Sequence, residues 1–340
     1  MAPPRVDDPF FIIGTERSGS NLLRLMLNAH PGLHVPHPPH VMHLLGPMEA
    51  AAGPPGAPAT LRRLAGLVVG LVERHIHPWP LRADPAALAA AADPPDLLGL
   101  AFALYDASAA HAGKPRWGCK STFMIHEAER VLRARPRARF IWLVRDPRDV
   151  AVSSLDSVFN PKDPMRVGAL WARQQRLGLQ LQARHPDAVH LLPYEALTAA
   201  PEERLRALLA FLGAPWDGAV LRHRETPEAS TIASLSGSWK NNDKDVIAGN
   251  SGKWRKRLSR RDAARIAAVA GPEMQALGYP IDPEDDGYVV GPTDQLSSAL
   301  GELRGRLRVE LRAVRTDQNH WRRWRRRAWL WQQAAARGRG

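Results

Sequence analysis

The stretch Gly14-Thr15-Glu16-Arg17-Ser18-Gly19-Ser20-Asn21 has the residue types and spacing of an anion cradle. A strand that ends in a short Gly/Ser loop and runs into a helix aims several backbone N–H groups at one point. The spacing begins like the phosphate loop of nucleotide hydrolases, G-x-x-x-x-G. It then departs, because Ser20-Asn21 stands where Lys-Ser/Thr would hold the β/γ-phosphates and Mg²⁺. The cation lies inside the loop instead, at Arg17. Such a loop suits a phosphate-like group without the usual metal; alone, it also suits an ordinary helix start capped by Ser and Asn.

A second candidate is Phe140-Ile-Trp-Leu-Val-Arg145-Asp-Pro-Arg-Asp-Val-Ala-Val-Ser153. Arg145 falls at the end of an apolar run, and open α/β sheets bind ligands at the carboxyl ends of their strands. Ser153 follows about two helical turns later, so one anion reaches both only if the helix folds back beside the strand end. Taken alone, Arg-Asp-Pro-Arg-Asp reads equally well as ion pairs at a helix end. Two anion sites at two strand ends suggest one ligand with two separated phosphates.

Lys120 follows a third short run, Arg116–Cys119. Histidine is suited to base work near neutral pH, and His34, His37 and His40 recur every third residue in a Pro-rich segment. A polyproline helix has three residues per turn, so these could line one edge and bind zinc. Successive edge residues would stand about 9 Å apart, however, and convergence on one ion would need a bend. No metal is expected. The single cysteine, Cys119, excludes a disulfide framework, a Cys-based zinc cluster and iron–sulfur chemistry. There is no G-x-S-x-G elbow, H-E-x-x-H helix or G-x-G-x-x-G turn.

The elements that must position these residues are short buried strands alternating with helices. Phe10–Ile13, Arg116–Cys119, Arg139–Val144 and Val189–Leu192 read as strands, and Asn21–His30 and Pro201–Leu212 as helices. Residues 34–60 read as a Pro/His-rich loop, and about 60–110 as helical segments broken by prolines. The pattern predicts an α/β domain with a central, mostly parallel sheet flanked by helices and an anion loop after the first strand. It assigns residues 1–282 to that domain, 283–298 to a linker, and 299–340 to a basic extension, helical over 299–333.

The 340 residues are 44% hydrophobic and 24% charged, which excludes wholesale disorder. No signal peptide or membrane-spanning run is evident, so a cytoplasmic location is expected. The net charge of +13 is uneven: residues 301–340 hold 12 Arg and 3 acidic residues. The rest is close to balanced, so the charge does not argue for specific nucleic-acid binding. Four Trp and five Arg interleave between His320 and Trp331. That segment suits packing on its own domain or in a homodimer, or peripheral contact with an anionic membrane.

The combination resembles the sulfotransferases that use 3′-phosphoadenosine-5′-phosphosulfate (PAPS), in particular the bacterial and Golgi-type branches. Four segments carry the resemblance in family order: Thr15–Asn21 followed by Ala29-His30-Pro31, Arg145 through Asp149 to Ser153, Tyr194-Glu-Ala-Leu197 with Phe211-Leu-Gly213, and Gly249–Arg255. The resemblance implies that Thr15, Arg17, Ser18, Gly19, Ser20 and Asn21 wrap the 5′-phosphosulfate. By the same likeness Arg145 and Ser153 bind the 3′-phosphate, Tyr194 contacts adenine, and Lys253 and Trp254 belong to a covering loop. It gives Arg17 and Lys120 the role of stabilising charge on the transferring group.

The pattern departs at Asn21, where the family has Thr, and at Ile247-Ala248, where many members carry basic residues. The base is the largest departure. The family's His two residues after the Lys is Thr122 here, and no carboxylate follows the His-Pro turn before Glu49. His37 or His40 is the expected base. The expected acceptor is a carbohydrate or glycan-bearing hydroxyl, with 34–60, 60–110 and 155–168 shaping its pocket. Rival readings are a phosphate-loop kinase or hydrolase, and a non-enzymatic module binding acidic polymers.

Overall fold

The computed structural model describes residues 7–235 and 250–335. Five parallel strands form one sheet in the order β2-β3-β1-β4-β5. They are β1 (Asp7–Gly14), β2 (Leu33–His34), β3 (Arg116–Cys119), β4 (Arg139–Val144) and β5 (Val189–Pro193). Between β1 and β3 lie α1 (Ser20–Ala29), α2 (Val41–Glu49), α3 (Pro58–Glu73), α4 (Pro85–Ala91) and α5 (Leu97–His111). Between β3 and β5 lie α6 (Ala128–Ala134), α7 (Pro147–Leu155) and α8 (Pro164–Arg184). After β5 come α9 (Tyr194–Ala199), α10 (Pro201–Leu212), α11 (Pro227–Leu235), α12 (Trp254–Arg257), α13 (Arg260–Ala276), α14 (Pro292–Thr316) and α15 (His320–Ala335).

Side chains alternate across a strand, and that alternation builds two cores. Phe10, Ile12, Ile141 and Leu143 pack against α1, α9 and α10 on one face. Phe11, Ile13, Phe140 and Trp142 face α3, α5, α8 and α13 on the other. Because both faces are covered, the central strands are continuous apolar runs rather than alternating ones, which made them legible in the sequence.

The strand order fixes where a ligand belongs. After β1 the chain leaves toward β2 and β3; after β4 it leaves the other way, toward β5. Such a divergence opens a crevice at the carboxyl ends of the two strands. Gly14 pairs with Leu143, so the β1 loop and Arg145 emerge side by side.

Three expectations need correction. The loop expected over 34–60 contains α2, and β2 at Leu33–His34 is too short to show a periodicity. The three histidines do not share an edge: His34 bonds Ser108, His40 bonds Ser121, and the His37 ring lies tilted against His75. The C-terminal helix expected over 299–333 is two helices, α14 beginning at Pro292 inside the expected linker. They break at Asp317, whose side chain accepts from the Asn319 N–H at 2.9 Å.

Gly178 on α8 lies against the Trp142 indole, where an added Cβ would fall 2.2 Å from the ring. Overpacking of this kind costs about 1–3 kcal/mol. Gly178→Val is expected to lower the thermal unfolding midpoint by several degrees, measured by calorimetry; no change would mean the α8–sheet contact is loose.

Candidate functional site

A Cβ on Gly14 would stand 2.2 Å from the Leu143 carbonyl oxygen, and the residue has φ +136°, so only glycine serves there. The chain then turns through Arg17 at φ +74° and Gly19 at φ +91° into α1. A non-glycine residue in the left-handed region is uncommon and costs of order 1–3 kcal/mol, and such residues cluster at functional sites. Here Arg17 Nε donates to Ser153 Oγ at 3.2 Å. The helix carrying Ser153 does fold back beside the strand end, as the spacing required.

Arg145 joins three segments. Its Nη1 donates to the Arg17 carbonyl at 3.2 Å and its Nη2 to the Asn250 carbonyl at 2.7 Å. The guanidinium lies over the Tyr194 ring at 4.5 Å, and Asn250 Nδ2 donates to Tyr194 Oη at 2.6 Å. The same ring occupies the space a side chain on Gly19 would need, with 2.4 Å left for a Cβ.

Three buried donors here have no hydrogen-bond partner among the described residues: Ser18 Oγ, Asn21 Nδ2 and Arg145 Nε. Asn21 Oδ1 accepts from Arg24 Nε at 3.0 Å, so its amide N–H groups point elsewhere. Buried polar groups are seldom left unpaired. Orphaned donors beside a backbone cradle fit an oxyanion ligand that would complete them.

Around this lies a layer of supports. Trp142 Nε1 donates to Gln175, which donates to Thr15 Oγ1 at 2.9 Å. Glu195 accepts from the Asp146 N–H and from Tyr279 Oη, both at 3.0 Å. Asn160 Nδ2 donates to the Glu16 carbonyl at 3.0 Å. Asp149 accepts from the N–H groups of Gly252 at 2.6 Å and Trp254 at 3.0 Å, fixing the late loop to α7.

The electrostatics are cationic. Burial first, with Arg24 and Arg17 adding to it against the pull of Glu16, brings the Lys120 amine down to about 8. Burial likewise brings Arg17 down to about 10, partly offset by Glu16, and Lys162 down to about 8. Glu16 is pushed up by burial against the opposing pull of Lys120, Arg17 and Lys162. An excess of cations over carboxylates suits an anionic ligand.

Thr15, Arg17, Ser18, Gly19, Ser20, Asn21, Arg145, Ser153 and Tyr194 therefore gather at one end of the sheet, with Lys120 electrostatically coupled to them. Lys253 is exposed. Trp254 is buried with Val152 and Ala263, its ring 3.9 Å from the Arg148 guanidinium; it anchors its loop. Gly249 and Ile247-Ala248 lie outside the described residues.

The two candidate bases part company. His37 is buried beside His75 at 4.9 Å and His77 at 6.2 Å, and its carbonyl accepts from Trp79. His40, at φ +57°, places Nδ1 2.9 Å from Ser121 Oγ, next to Lys120. Burial holds both well below the usual imidazole range, with the Lys120 charge the next largest influence on His40. Sequence reasoning missed Glu16, Gln175, Glu195 and Asn250 as participants. Asp149 was visible in its motif, but not what it holds.

Residues 9–218, well over half the chain, match the Sulfotransferase family. The chain belongs to that family. It is 25% identical over 299 residues to protein-tyrosine sulfotransferase 1 of Danio rerio, covering 84% of this chain and 76% of that protein. Among solved structures it is similar to the sulfotransferase domain from the curacin biosynthetic pathway, with TM-score 0.56, 20% identity, and coverage of 82% of this chain and 100% of that one. The sulfotransferase domain of the Synechococcus PCC 7002 olefin synthase gives TM-score 0.55 and 21% identity, covering 83% and 99% of the two chains. These likenesses support the α/β fold expected from the sequence. The family makes this sulfotransferase an enzyme acting on a hydroxyl-bearing acceptor, and the kinase, hydrolase and non-enzymatic readings fall away.

Two outcomes test the site. Asp149→Ala removes two charge-assisted hydrogen bonds, each worth about 1.5–3 kcal/mol. Trypsin cleavage at Lys253 and Arg255 should accelerate in that variant, and an unchanged rate would remove Asp149 as the anchor. Lys120 loses its charge as pH rises through about 8. Affinity for inorganic sulfate, which keeps one charge state over this range, followed by calorimetry, should accordingly be level below that pH and fall above it. Lys120→Met should flatten that part of the profile.

Proposed function

We propose that this sulfotransferase moves the sulfuryl group of PAPS to an acceptor hydroxyl. The observation that carries the donor is the pairing of two anion positions at adjacent strand ends, Thr15–Asn21 and Arg145 with Ser153, each with a buried donor or a cation turned to it. A ligand with separated phosphates would span them, and Tyr194 packs between the two, its ring under Arg145 and against Gly19. No lysine or hydroxyl stands where a metal-bound γ-phosphate would need them.

Transfer follows the logic of phosphoryl transfer, in which positioning and charge neutralisation outweigh covalent work by the protein. The acceptor oxygen forms a bond to sulfur as the bond from sulfur to the 5′-phosphate oxygen breaks, leaving adenosine 3′,5′-bisphosphate. Arg17 and Lys120 stabilise the charge that builds on the sulfuryl and leaving oxygens. His40 takes the acceptor proton: with Nδ1–H donating to Ser121 Oγ, Nε2 is the basic atom, and burial keeps the ring neutral. His37, enclosed by other histidines, is the less favoured base.

The acceptor class expected from the sequence is a carbohydrate hydroxyl. A tyrosyl phenol is the second reading, favoured by the likeness to a protein-tyrosine sulfotransferase along 84% of the chain.

The test is thermal unfolding with adenosine 3′,5′-bisphosphate beside ATP, with and without Mg²⁺. A ligand at 100 times its dissociation constant adds about 2.7 kcal/mol, enough to shift the midpoint by a few degrees. A Mg²⁺-independent shift that Arg145→Ala abolishes is expected; a shift with ATP and Mg²⁺ alone would overturn the donor. Sulfuryl transfer to a panel of sugars and tyrosyl peptides then assigns the acceptor, and His40→Ala should slow turnover about 10²–10⁴-fold.

A further inference from the structure

The two C-terminal helices are docked inside out. α14 meets the domain through polar and small residues: Ser298 donates to Asp163 at 2.6 Å, Glu302 accepts from the Lys162 and Asp163 N–H groups, and Gly301 and Gly305 lie against the same two residues. Val309 and Ala313 complete that buried side, and the larger share of its apolar residues points the other way. Leu296, Leu300, Leu303, Leu307, Leu311 and Val314 are between 45% and 64% exposed. At 100° per residue they fall on one stripe nearly opposite the docked one, running about 27 Å along the helix.

α15 repeats the arrangement. Arg322 reaches the Ile76 carbonyl, Trp329 lies against Gly70 and under Arg74, and Arg323 pairs with Asp317. Those residues share the inner face. Trp321, Trp324 and Trp331 lie on the outer face and are 54% to 81% exposed.

A hydrophobic stripe turned to water across two consecutive helices marks an interaction surface. The charges beside it name the partner. Along α14 Arg304, Arg308 and Arg315 follow one side of the stripe while Arg312 turns back to Asp156, and Arg325 and Arg327 flank the Trp face of α15. Of the three acidic residues from 301 onward, Glu302 as above and Asp317 with Arg323 are engaged within the protein, and Glu310, 55% exposed, lies 3.8 Å from His320. Against a second copy of this surface, arginine would face arginine. Against anionic headgroups the arginines are neutralised while Leu and Trp enter the boundary between headgroup and acyl chain, where Trp is favoured.

We propose that α14 and α15 together form a peripheral docking surface for an anionic lipid membrane. The described residues hold no helix long and apolar enough to cross one, so the protein lies on the surface through these two helices. The exposed stripe lies on the outer side of these helices, away from the side that docks on Lys162 and Asp163, and the proposal does not depend on which nucleotide or acceptor the site takes.

The test is sedimentation of the full chain with vesicles of phosphatidylcholine alone or mixed with phosphatidylglycerol, at low and high salt. Binding should require phosphatidylglycerol and fall by more than about ten-fold at high salt. It should be lost in the triple variant Trp321→Ala, Trp324→Ala, Trp331→Ala, whose unfolding midpoint should stay unchanged because those rings are exposed. Leu303→Ser with Leu307→Ser supplies a second, independent variant with the same expected loss. Equal binding to neutral vesicles, or none to either, would overturn the proposal. So would a stable dimer that the Leu variant dissociates, which would give the stripe to a second copy of the chain.

Discussion

Everything at the site hangs on the parallel pairing of β1 with β4. That register sets Gly14 against Leu143 with no room for a side chain between them. It makes two loops from distant parts of the sequence neighbours, and strand divergence then opens the space above them. Arg145 and Arg17 are 128 positions apart, yet one guanidinium binds the other's carbonyl because two strands end at the same level.

The site's charge follows from the same closeness. Arg17, Lys120 and Lys162 converge beside Arg145, with Glu16 set among them and Glu302 facing Lys162. The supports are neutral or internally paired: a Trp–Gln–Thr relay, a Glu held by an amide and a phenol, an Asp holding two backbone amides. The protein thus holds its cations in place while Glu16 and Glu302 offset them in part. Under the proposed reading, an anionic ligand would complete the balance, the electrostatic preorganisation that group transfer requires.

Much of this was legible in the sequence because it is local. The strands announce themselves as apolar runs, and the first loop is read from Gly, Ser and Arg at fixed offsets. Ser153 lies two helical turns from Arg145, and that spacing alone stated what the helix had to do. What escaped is long-range. Nothing near Gln175 says that it bridges Trp142 to Thr15, and nothing near Asp149 says that its partners are amides 103 and 105 residues on. His37 and His40 look alike in sequence; their difference comes from His75 and Ser121, set beside them by other elements. The break between α14 and α15 rests on one Asp side chain inside a stretch that otherwise keeps helical periodicity.

The Asp149 anchor sets a length scale for motion. Gly252, at φ +72°, is held to α7, and Asn250, two residues earlier, reaches over Arg145. Asn250 thus covers the guanidinium from a point two residues short of a fixed anchor. On the proposed reading, a nucleotide reaching Arg145 would exchange the Asn250 contacts to Arg145 and Tyr194, whereas the chemistry would rest on Arg17, Lys120 and His40. Binding and turnover would then depend on different bonds, open to change one without the other.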